Sequence, residues 1–114
     1  LRQRCAAGRP AATPPRLPVS VQDVHDALLL SKAAAYAQGF ELLARASSEY
    51  RWNLQLSELA RIWKGGCIIR ARFLDEIRRA YVEQPALEHL ALAPHFRGLL
   101  SAHLATLGRV VAAA

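Results

Sequence analysis

Apolar residues occupy nearly every side of the stretch 21–50, and no proline interrupts it. Val21, Val24, Leu28, Ala35, Gly39, Leu42, Ala46 and Tyr50 form one stripe at helical spacing. Leu29, Leu30, Ala33, Ala34, Tyr36, Ala37, Phe40 and Leu43 fill the other sides. Ser20 offers an N-cap, and Asp23 three residues later completes a capping-box pattern. The pattern predicts one helix over 21–50, roughly 45 Å long at the α-helical rise. A helix that is apolar nearly all round must be buried nearly all round. A chain of 114 residues is short for that task. The missing cover is therefore expected from another domain or subunit, with Leu30, Ala34 and Phe40 as expected contacts.

Three shorter helices follow. The first is predicted over 55–64, with Leu56, Leu59, Ala60 and Trp63 on one face. Gly65 and Gly66 are expected to stop it, because glycine accepts the left-handed conformation of a helix end. The next is predicted over 68–83, with Ile69, Phe73, Ile77, Ala80 and Tyr81 facing inward. Arg72 with Glu76, and Asp75 with Arg79, are candidate i,i+4 pairs on its wet side. Pro85 ends it, a turn occupies 86–90, and the last helix is expected over 95–111. Strand alternation and internal repeats are absent from the sequence. The expected class is all-α, a long central helix with shorter helices packed on it.

Residues 1–19 read differently. Pro10, Pro14, Pro15 and Pro18, with Gly8, remove amide donors and restrict their neighbours. An extended lead-in over 1–19 and a helical domain over 20–114 are the expected organisation. The first residue is Leu rather than Met, which suggests a fragment or processed product.

Composition narrows the function classes. The hydrophobic fraction of 53% against 21% charged suits a globular chain. The net charge of +6 comes almost wholly from arginine. These arginines are scattered, with no long basic block and no aromatic platform between them, which argues against a nucleic-acid surface. A coding bias toward Arg and Ala accounts for the charge more simply. The most apolar stretch, 27–44, carries Lys32, Gln38 and Glu41, which argues against a membrane span. Residues 1–18 lack the apolar run of a signal peptide. Cys5 and Cys67 form neither a metal spacing nor a disulfide framework, and a reduced, cytoplasmic compartment is expected.

Individual residues carry little chemistry. Cys67 follows Lys64 at an expected helix start, where a thiolate is favoured, but a small buried corner residue fits better. Lys64, Arg70 and the amides of Gly66 and Cys67 could cradle a phosphate; an Arg70 that anchors the loop is the simpler reading. His25, His89, His95 and His103 have no ligand spacing. Along one helix Glu41 and Glu49 lie about 12 Å apart, too far for a catalytic pair. Lys32 sits oddly in the apolar helix, either paired with a carboxylate of another domain or with its stem snorkelling.

A family resemblance adds to this reading. Ser31-Lys32 and Tyr36-Ala37-Gln38-Gly39-Phe40 are followed by Trp52-Asn53-Leu54, then by Ile62-Trp63-Lys64-Gly65-Gly66-Cys67-Ile68-Ile69-Arg70, Phe73-Leu74 and Ile77. At this spacing the blocks closely resemble the all-helical C-terminal domain of the 6-phosphogluconate dehydrogenase family. Leu87, Leu90, Leu92 and Phe96 are a weaker match, and Ala33, Ala34 and Ala35 stand where the family commonly has bulkier residues. The resemblance implies an enzyme that oxidises 6-phosphogluconate with NADP and releases carbon dioxide and ribulose 5-phosphate. It also implies a homodimer through the helical domain, with no nucleic-acid or membrane partner. The family uses a lysine as general base and a glutamate as general acid, tuned to opposite tasks. By the same resemblance, that pair and the Gly-rich dinucleotide fold lie upstream of Leu1, and the segment reaching the partner's active site lies beyond Ala114. No catalytic, cofactor-binding, substrate-binding or metal-binding residue is therefore assigned within the chain. A segment of such an enzyme, supplying packing and dimerisation, is the expected function. A non-catalytic helical remnant or interaction module is the alternative.

Overall fold

A computed structural model describes residues 18–66 and 73–114. It contains α1 (Val21–Glu49), α2 (Leu56–Gly66), α3 (Phe73–Glu83), a 3₁₀ turn (Leu90–Leu92) and α4 (Pro94–Ala113), with no strand among the described residues. The lead-in expected over 1–19 lies outside the described residues except at its end, as does the start of the helix expected from 68.

The first helix forms as its sequence predicts. The Ser20 hydroxyl accepts from the Asp23 amide at 3.0 Å, and the Asp23 carboxylate accepts from the Ser20 amide at 2.9 Å. Two donors that a helix start leaves orphaned are thereby satisfied. The helix runs unbroken through Gly39. At its end the Trp52 amide donates to the Ser47 carbonyl at 3.0 Å. Arg51 takes the left-handed conformation there, with φ 56, where glycine is usual. Asn53 does the same at φ 52, and the Leu54 amide donates to the Ser47 hydroxyl at 2.9 Å. This hook turns the chain from α1 into α2.

The helices pack as two pairs. α1 lies along α4, α2 lies along α3, and the 3₁₀ turn sits against both α1 and α4. An aromatic seam joins the pairs. Phe40 of α1 meets the rings of Trp63 and Tyr81, with centroids 5.3 and 5.7 Å away. Phe73 of α3 meets Tyr36 of α1 at 5.6 Å and Phe96 of α4 at 5.1 Å. Edge-on and offset arrangements of this kind add to the apolar burial of the rings. Phe40, Leu30, Leu74, Ile77 and Leu90 are the largest fully buried side chains.

Several expectations need correction. The inward face of α1 is Ala27, Leu30, Ala33, Ala37 and Phe40, so Leu30 and Phe40 are covered by this chain's own helices rather than by a partner. Ala34 is exposed. The side left open is part of the first stripe, with Val21, Leu28 and Leu42 at 89%, 68% and 69% exposure. Gly65 and Gly66 do not stop α2 but form its last turn. A glycine costs about 1 kcal/mol in a helix, a preference that packing overrides; here Trp63 and Lys64 hold the same turn against the core and against α3. Asp75 does not pair with Arg79. Its carboxylate takes both oxygens' bonds from the Lys64 ammonium, at 2.8 and 2.7 Å, and Arg79 pairs with Glu76 instead.

Candidate functional site

Charged side chains tie α1 to the C-terminal part of the chain. Arg109 of α4 donates to Asp23 at 2.6 Å and to the Thr106 hydroxyl at 3.1 Å. His103 lies 3.4 Å from Asp26, whose other oxygen is 2.9 Å from His25. His89, just before the 3₁₀ turn, lies 3.5 Å from Glu41, which also accepts from Arg45. These contacts have an ordinary structural role, since Asp23, Asp26 and Glu41 of α1 each meet a basic group one helix away or close by along α1. His95 lies 4.0 Å from Glu76. His89 and His103 are thus half-buried.

The capping box and the ion pair converge on Asp23. The Ser20 hydroxyl, the Ser20 amide and the Arg109 guanidinium hold its carboxyl at about 2, below its ordinary 3.8. Asp26 is lowered too, first by its hydrogen bond from His25 and then, against the cost of burial, by Gln22 and the charges of His103 and His25. A depressed carboxylate stabilises the fold above its unfolded value, and that stability is lost as pH falls through the folded value. Melting temperature is therefore expected to fall on acidification from about pH 4 toward pH 2, the window set by the two Asp23 values. Asp23→Asn is expected to lower the melting temperature at neutral pH and to flatten this dependence. An unchanged acid slope in that variant would remove Asp23 from the account.

The residues singled out by sequence are dispersed. Lys32 is exposed and has no ion-pair partner among the described residues. Cys67 and Arg70 lie outside the described residues, so the phosphate cradle proposed around them does too. Its one described side chain, Lys64, is engaged by Asp75. Glu41 and Glu49 do not converge, for Glu41 faces His89 and Glu49 is exposed. No cluster of three His, Cys, Asp or Glu side chains able to hold a metal occurs among the described residues. None of the described helices is long and apolar enough to cross a membrane.

One concave site escaped the sequence reading. Where α1 hooks into α2, a cleft of about 480 Å³ is lined by Ser47, Arg51, Asn53, Gln55, Ser57 and Tyr81, among others. Tyr81 is only 3% exposed, and its hydroxyl has no hydrogen-bond partner among the described residues. Burial, with the Glu41 carboxylate adding to it, pushes the phenol up to about 12, so the group is a neutral donor. The only available signal was the run Arg51-Trp52-Asn53 between two helical stretches, which lacks the glycine that usually marks such a turn.

Comparison with known proteins bears on the whole chain. A family model described as 6-phosphogluconate dehydrogenase, C-terminal domain, matches residues 4–114. The decarboxylating 6-phosphogluconate dehydrogenase of Synechococcus elongatus is 52% identical over 94 residues, covering 82% of this chain and 20% of that protein. The Escherichia coli K12 protein of the same name is 42% identical over 115 residues, covering 96% of this chain and 25% of that protein. Among solved structures, Plasmodium falciparum 6-phosphogluconate dehydrogenase, studied in its apo form and with NADP+ or 6-phosphogluconate, superposes with a TM-score of 0.80 at 36% identity. That match covers 96% of this chain and 24% of the other. The chain thus spans about a quarter or less of the relatives it matches.

Proposed function

Because this chain belongs to the 6-phosphogluconate dehydrogenase family, matching its C-terminal domain, we propose that it serves as the helical packing and dimerisation part of an NADP-dependent enzyme that converts 6-phosphogluconate to ribulose 5-phosphate and carbon dioxide. The carrying observation is the superposition on the Plasmodium falciparum enzyme, with a TM-score of 0.80 and 36% identity over 96% of this chain. In this reading the segment 20–114 is a scaffold within a cytoplasmic enzyme. Its seam holds two helix pairs rigid, and acid–base chemistry and cofactor are supplied by other parts of the protein.

Dimerisation rests on the outward side of α1. Val21, Leu28 and Leu42 recur at multiples of seven residues and stay exposed. A stripe of that period suits a facing helix of a second subunit. Leu28→Asp is expected to leave the monomer folded and to weaken self-association, since surface changes alter stability by less than about 0.5 kcal/mol.

The decisive assay compares this 114-residue chain with a parent protein that carries it. Cofactor reduction with 6-phosphogluconate and NADP is expected from the parent and not from the chain alone. A parent with an intact dinucleotide-binding domain but no turnover would favour the non-catalytic remnant instead. Sedimentation that finds the wild type monomeric at high concentration would defeat the dimerisation reading.

A further inference from the structure

We propose that the cleft between the end of α1 and the start of α2 binds a small oxyanion, a phosphate or carboxylate group, independently of the dehydrogenase reaction. Four observations converge there. Arg51 is the only charged residue lining the cleft, and no carboxylate lines it. Its guanidinium has no ion pair or hydrogen bond among the described residues, although most other charged side chains nearby on α1 and α2 do, as with Arg45 and Glu41 or Arg61 and Glu58. The Tyr81 hydroxyl is the one buried side-chain polar atom among the described residues without a partner.

The fourth observation is the start of α2. The Gln55 carbonyl accepts from the Glu58 and Leu59 amides at 3.0 Å, which leaves the Leu56 and Ser57 amides as the unmatched donors of the first turn. Leu56 and Ser57 both line the cleft. Exposed amides at a helix N-terminus attract negative charge through both hydrogen bonding and the helix dipole. A buried hydroxyl with no partner costs stability, so its retention points to a ligand oxygen that it meets. With the phenol neutral, it can only help an anion by donating. The cleft therefore presents a cation and free amides, with the buried Tyr81 phenol and the Ser47 hydroxyl, already engaged by Leu54, as parts of its wall.

Holding Arg51 at φ 56 places a charged side chain where a glycine would be the relaxed choice. Glycine there would ease the turn and remove the only cation of the cleft.

The test titrates the 114-residue chain with inorganic phosphate at constant ionic strength, and with acetate in parallel. Calorimetry gives affinity, and amide shifts of Leu56 and Ser57 report location. Saturable phosphate or acetate binding that moves those two amides is expected; the tighter of the two identifies the oxyanion. Arg51→Gln and Tyr81→Phe are each expected to weaken binding at least tenfold, with Arg51→Lys retaining most of it. Absence of saturable binding overturns the proposal. So does binding that leaves Leu56 and Ser57 unmoved. A Tyr81→Phe chain that melts higher yet binds with unchanged affinity also overturns it, because the hydroxyl would then be an uncompensated orphan.

Discussion

Replacing Phe40 with Asp is expected to abolish the cooperative fold of the chain. Phe40 is fully buried, and its ring joins α1 to both Trp63 of α2 and Tyr81 of α3. Removing a buried aromatic ring costs about 3–5 kcal/mol through lost burial and the cavity left behind. Placing a carboxylate at the same point adds an unpaired buried charge, a penalty of several kcal/mol more. Together these approach or exceed the roughly 5–15 kcal/mol that holds a domain folded. The nearest charged neighbour along α1, Glu41, would repel the new group. Far-UV circular dichroism during heating should show no sharp transition for Phe40→Asp. Phe40→Leu should keep one, at a cost of about 1–2 kcal/mol. A cooperative melt of Phe40→Asp within a few degrees of wild type would show that the seam does not organise the core.

Phe96→Ala is expected to have the next largest effect. Phe96 is buried on α4, meets Phe73 of α3 edge-on, and lines the interface with Leu30, Ala33 and Ala37 of α1. It thus touches both helix pairs at once. The alanines opposite it are short, so they cannot collapse into the space that the ring leaves. The loss should therefore sit near the upper part of the range for a buried aromatic, about 3–5 kcal/mol. For a domain this size that is a fall in Tm of more than about 10 °C. A thermal melt beside that of Leu28→Ala, on the exposed side of α1, provides the contrast. If the two variants melt alike, the seam is not what couples the pairs.

Much of the fold was legible in the residues themselves. Ser20 and Asp23 announce the start of α1, because a capping box is local chemistry between groups three residues apart. The last helix, expected over 95–111, forms over Pro94–Ala113, with proline presetting its first turn. The stretch of helical spacing from 21 onward predicts one long helix, and one forms. The blocks around Tyr36–Phe40 and Ile62–Gly66 sufficed to indicate the family. By contrast, the oxyanion cleft left no comparable trace. Its members come from α1, the hook, α2 and α3, and no spacing within one segment brings them together.

Helix existence among the described residues, the start of α1 and the family were thus determined by the sequence alone, since short-range hydrogen bonding, turn chemistry and residue periodicity act between near neighbours. Which side of α1 faces inward was a matter for the tertiary structure. Apolar residues surround that helix, so its own pattern has no preferred face, and the choice fell to shape. Ala27, Ala33 and Ala37 are small enough to let other parts of the chain approach, while Leu28 and Leu42 were left outside. Tertiary structure likewise decided that Asp75 should pair with Lys64 rather than Arg79, and that Asp23 should meet Arg109 across 86 positions of sequence. Such partners are chosen by the distance between packed helices, a quantity that periodicity along one helix does not contain.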